Sequence, residues 1–165
     1  MIYLSALTIV LGLYILNISF LPHILISLSQ IVLILPFISL YSLRDKSIFP
    51  YILAVFAGLL YDGATVSVFP IFAVTFLLIV LAGKNIFSKI TSYGVERTSL
   101  LLTAIGFFVL VLSDWERLLL SYTNLHLYFA LGMSFIAIMV IHFVLFRIFQ
   151  RYFDWVEKTT SERFR

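Results

Sequence analysis

An aspartate that closes an apolar run is the first position in this chain where chemistry is conceivable. Asp62 ends the stretch Ala54-Val55-Phe56-Ala57-Gly58-Leu59-Leu60-Tyr61-Asp62. Ala54, Gly58 and Asp62 lie four apart and therefore share one face of a helix. Two small residues on that face let a neighbouring helix come close, and a carboxylate at its end would meet that helix or a partner. The same position also suits an ordinary helix-end acid among lipid headgroups. Asp114, Glu116 and Arg117 form a second cluster, in which Asp114 and Arg117 are three apart and can pair on a helix. That cluster reads as a solvated helix end or as part of an interfacial segment over 115–127, and nothing else polar converges on it as an acid–base site. Asn17, Gln30 and His142 stand within or near the ends of apolar runs. Polar groups in such surroundings turn inward and take a hydrogen-bond partner.

Other chemistries lack their residues. His23, His126 and His142 are the only histidines, and they fall at different depths of the layout described below. HExxH, GxSxG, P-loop and GxGxxG patterns are absent, and a Ser/His or paired-Asp arrangement for intramembrane proteolysis is not evident. The chain has no cysteine, which removes disulfides, thiol nucleophiles and Cys-based metal sites. A channel or proton-coupled carrier built on Asp62, toward the outer end, and His142, toward the inner end, would need a chain of carboxylates across the depth between them, and the apolar runs supply none. No enzyme activity, cofactor or metal is expected. The candidate residues are structural or partner-packing ones: Ala54, Gly58 and Asp62.

The elements that must position these residues follow from composition. Of 165 residues, 62% are hydrophobic and only 12% charged, so a soluble globule of this size could not hide the apolar surface. Disorder and nucleic-acid binding are excluded on the same grounds. A span needs roughly 20 apolar residues, so six spans use about 120 and leave no room for a soluble catalytic domain. The apolar runs are about Ile2–Phe20, Ile24–Leu43, Ile48–Tyr61, Val66–Ala82, Ser99–Leu112 and Leu127–Phe149. They are continuous rather than alternating, which argues for helices over a β-barrel. The first lacks a preceding Lys or Arg and a small-residue cleavage pattern, and reads as a retained helix. The expected fold is an all-α polytopic integral membrane bundle over 1–149, with a cytoplasmic or interfacial tail over 150–165 resting on anionic lipid.

Charge sets the orientation. The chain has 11 Lys and Arg; Arg44, Lys46, Lys84, Lys89, Arg97, Arg147, Arg151, Lys158, Arg163 and Arg165 all fall on one side, and Arg117 alone on the other. The positive-inside rule then places both termini in the cytoplasm. Tyr3, Tyr41, Tyr51, Tyr93, Tyr152 and Trp155 fall near the inner interface, and Tyr61, Trp115, Tyr122 and Tyr128 near the outer one. These depths suit membrane anchoring.

The stretch from Pro22 to Gly83 resembles the MreD family of bacterial rod shape-determining membrane proteins. The likeness lies in a proline-led apolar helix (Pro22–Leu43), a polar turn (Arg44-Asp45-Lys46), a helix ending in Gly58-Leu59-Leu60-Tyr61-Asp62, and a further apolar helix (Val66–Gly83). Where the family tends to place a glycine after the Gly-Leu-x-x-Asp element, this chain has Val68-Phe69-Pro70. The resemblance implies a non-catalytic scaffold of the cell-elongation complex in the cytoplasmic membrane. Its partners would be lipid, an MreC-like single-span periplasmic protein and, through it, the wall-synthesis glycosyltransferase and transpeptidase and the cytoskeletal filament. The rival is a substrate-binding membrane subunit of an energy-coupling-factor vitamin transporter. Against it stand the short Leu21-Pro22-His23 connection, the lack of an Ala-x-x-x-Ala face in the first helix, and the sparse polar groups in the outer half.

Overall fold

The computed structural model describes residues 2–19, 32–65, 70–85, 94–113 and 125–163. Among these, all regular structure is helical. Six helices follow in order: α1 (Ile2–Ser19), α2 (Ile34–Arg44), α3 (Phe49–Thr65), α4 (Ile71–Asn85), α5 (Val95–Ser113) and α6 (Leu125–Arg163). Within α5 and α6, the stretches Val95–Leu112 and Leu131–Trp155 are long and apolar enough to cross a membrane. The other four helices are apolar but shorter.

Local sequence explains several helix ends. Pro50 occupies the first turn of α3, where its missing N–H has no helical partner to lose. Pro70 immediately precedes α4, and its carbonyl accepts the first helical bond, from Val74 N–H at 3.1 Å. Between α2 and α3 the chain turns on two side chains. Asp45 adopts an extended backbone that stops α2, and its Oδ1 accepts from Ser47 N–H at 2.8 Å. Ser47 Oγ in turn accepts from Phe49 N–H at 3.1 Å, capping the start of α3.

The centre of the fold is α2. Every residue from Ile34 to Ser42 is buried, and each of the other five helices packs on it. Such a helix is apolar all round because it has no outward face. The closest helix pair is α3 with α4. At one end of the bundle Tyr3 meets Phe49, Ser5 Oγ bonds Tyr152, Arg44 pairs with Asp154 at 3.2 Å, and Lys84 bonds the Ser47 carbonyl. At the other end Tyr14 meets Tyr61, Asn17 reaches the start of α2, and Asp62 reaches the start of α4. Successive helices therefore run in alternating directions.

The expected boundary at 149–150 falls inside α6, which runs unbroken to Arg163. Phe149 and Phe153 pack on Phe37 and Tyr41 of α2, so the start of the tail is fastened to the bundle by rings. Two tyrosines near the ends of their helices turn their rings into the bundle. Tyr41 and Tyr61 are both buried among aromatic rings, Tyr61 against Tyr14, Phe72 and Phe76.

Candidate functional site

The last turn of α3 and the first turn of α4 form one unit around Asp62. The carboxylate is 7% exposed and receives two backbone donors: Phe72 N–H at 2.9 Å on Oδ1 and Ala73 N–H at 3.0 Å on Oδ2. The first amides of a helix have no partner within it, and they carry the positive end of the helix dipole. Asp62 thus caps α4 from a different helix, with its negative charge at the favourable end. One turn earlier, Gly58 lies against the same segment, and a Cβ there would collide with the backbone of Ala73 and Phe72. Ala54, one further turn back, is fully buried. The helix that comes close to the Gly58 and Asp62 face is therefore α4 of the same chain.

Asn17 plays a parallel part nearby. Its Oδ1 accepts from Leu33 N–H at 3.2 Å, the residue just before α2. Leu33 has no capping side chain of its own, so α1 supplies one.

A third polar group lies where α2, α5 and α6 meet. Ser39 Oγ is 2.8 Å from Thr103 Oγ1 and 3.1 Å from Ser99 Oγ, and Thr103 Oγ1 is 3.0 Å from His142 Nδ1. All four side chains are buried, with at most 1% of the residue exposed. Sequence reasoning singled out His142 but missed Ser39, Ser99 and Thr103. The available signal was Ser99 and Thr103 four apart in an apolar run, on the face that must meet a neighbour.

A hydroxyl beside an imidazole raises the question of nucleophilic catalysis, which would require the hydroxyl to donate to the imidazole. Thr103 Oγ1 has two acceptors in reach, the Ser99 carbonyl at 2.9 Å and His142 Nδ1 at 3.0 Å, and the tautomer of the ring decides which way the second bond runs. The group is buried, and it joins three helices through hydrogen bonds.

Among the described residues, no group of three His, Asp or Glu side chains is placed to hold a metal ion. His23, Gln30, Asp114, Glu116 and Arg117 lie outside the described residues, as does the Val68-Phe69 part of the Val68-Phe69-Pro70 departure. No family model matches the chain, and neither a curated protein nor a solved structure is similar to it.

Proposed function

We propose that the chain is a six-span protein of the bacterial cytoplasmic membrane with both termini in the cytoplasm. We infer further that it serves as a non-catalytic scaffold of the MreD kind, joining an MreC-like single-span partner to the wall-synthesis enzymes. The membrane part draws support from the alternating helices, which gather Arg44 and Lys84 at the same end as Tyr3 and Asp154. Cationic residues collected at one end of an apolar bundle are what the positive-inside rule leads one to look for.

One observation carries the scaffold part. The Gly58-Leu59-Leu60-Tyr61-Asp62 element is a rigid corner, in which close packing at Gly58 and a double cap at Asp62 hold α3 on α4. Its polar groups are used inside the corner, and a fixed corner of this kind suits a platform that presents a surface to other proteins. Depletion of the protein from its native cells should turn rods into spheres, and the tagged chain should retain a single-span periplasmic protein on purification. Rod shape kept without it, or saturable nanomolar binding of thiamine, riboflavin, biotin or folate, would overturn the reading, the second in favour of vitamin transport.

A further inference from the structure

Arg147 and Arg151 stand on the open side of α6. This helix is weakly enclosed: only 22% of Leu131–Trp155 is buried. Both arginines are exposed, and at four residues apart they lie ~6 Å from each other along the helix axis. Neither takes part in an ion pair among the described residues. The nearest acid on the helix, Asp154, is engaged by Arg44 at 3.2 Å.

The surroundings of the pair are apolar on one side and aromatic on the other. The Arg147 guanidinium lies 5.5 Å from the centre of the Phe143 ring, one turn toward the middle of the helix. In this rotamer it lies along the apolar wall, and its long side chain can swing toward Arg151 and the polar end. Val140, Val144 and Ile148 are each more than half exposed beside it (58%, 55% and 55%). Trp155, one turn beyond Arg151, is 64% exposed. If α6 spans the bilayer, Arg147 sits ~10 Å inside the level of the Arg44–Asp154 pair, counting seven residues along the helix. A guanidinium held against hydrocarbon without an anion is costly. Its flat fork of donors suits two oxygens of one phosphate.

We propose that Arg147 and Arg151 bind the phosphodiester of an anionic phospholipid in the leaflet at the Lys/Arg-rich end. The acyl chains lie along Val140, Val144 and Ile148, and Trp155 lies at headgroup level, where indoles are favoured. A carboxylate on a partner's helix carries the same single charge and two acceptor oxygens. A phosphodiester at the edge of the hydrocarbon matches both and also brings apolar chains that fit the exposed wall. The site rests on the membrane reading above, since a phospholipid can dock this way only on a chain embedded in a bilayer.

The test uses the full chain in nanodiscs of phosphatidylcholine, alone or mixed equally with phosphatidylglycerol, with bound lipid read by native mass spectrometry. Phosphatidylglycerol should be retained selectively and should raise the melting temperature. Arg147→Gln and Arg151→Gln should each weaken retention by about tenfold or more, the size expected when hydrogen bonds between charged groups are lost. Arg97→Gln, at an exposed position on α5, should weaken it by no more than about fivefold, the size for one basic residue near an anionic surface. Each variant should melt like the wild type in phosphatidylcholine alone, which separates lipid binding from folding. Equal retention by the double variant, or an equal loss in Arg97→Gln, would overturn the site. Loss of a co-purifying partner in the double variant, with lipid retention intact, would overturn it in favour of a partner helix. Release of the wild-type chain from membranes by alkaline carbonate would instead sink the membrane reading itself.

Discussion

Asp62 uses both carboxylate oxygens on the first turn of α4, and its two bonds can be weakened one at a time. Asp62→Asn keeps one acceptor and removes the charge; Asp62→Ala removes both. Losing a cap of this kind costs about 0.5–2 kcal/mol. Asp62→Ala should therefore lower thermal stability in detergent and impair complex formation, and Asp62→Asn should recover much of the loss. If Asn proves as defective as Ala at normal expression, the charge itself is required. Asp62 stood out in the sequence because a carboxylate is conspicuous after an apolar run. Ser39 did not, because a serine satisfies itself within a helix. Its Oγ donates to the Pro36 carbonyl at 2.9 Å, so an apolar run tolerates it without any visible mark.

At the scale of helices, Gly58 governs how near α3 can come to α4. In lipid, helices associate through close packing and hydrogen bonds, because apolar surface gains little by leaving apolar solvent. Gly58→Leu would push Ala73 and Phe72 away and draw them off Asp62 as well. Overpacking typically costs about 1–3 kcal/mol, and here the cap is lost with it. Thermal melts should show a large loss for Gly58→Leu and little change for Leu60→Ile. The spacing of Ala54, Gly58 and Asp62 made this face legible in the sequence. The central place of α2 was not legible. A buried helix in water is betrayed by contrast with its amphipathic neighbours, but in a bundle apolar on both its inside and its outside that contrast vanishes. The run of residues 34–42 reads like any lipid-facing stretch, although it has no outward side. That Tyr41 and Tyr61 face inward was hidden for a related reason, since their distance along a span says nothing of the direction a ring faces.

For the whole molecule, composition was enough to read an all-helical chain of apolar segments, and the charge pattern leads to a testable orientation. Reporter fusions after Arg97 and after Arg165 should report the cytoplasm, and one near Asn124 the periplasm; a periplasmic carboxyl terminus would sink the six-span arrangement. The enclosure of α2 also bears on the order in which the protein is assembled. Ser39 bonds Ser99 and Thr103, 60 and 64 residues downstream. At ~5–20 residues per second, a ribosome needs roughly 3–13 s to make that intervening chain. During that interval α1, α3 and α4 are at hand, but α5 and α6 are still missing. Its apolar surface is at home in lipid, and the bond from Ser39 to the Pro36 carbonyl keeps the hydroxyl satisfied in the meantime. On the proposed membrane reading, the central helix waits in the bilayer until α5 and α6 arrive to complete its enclosure.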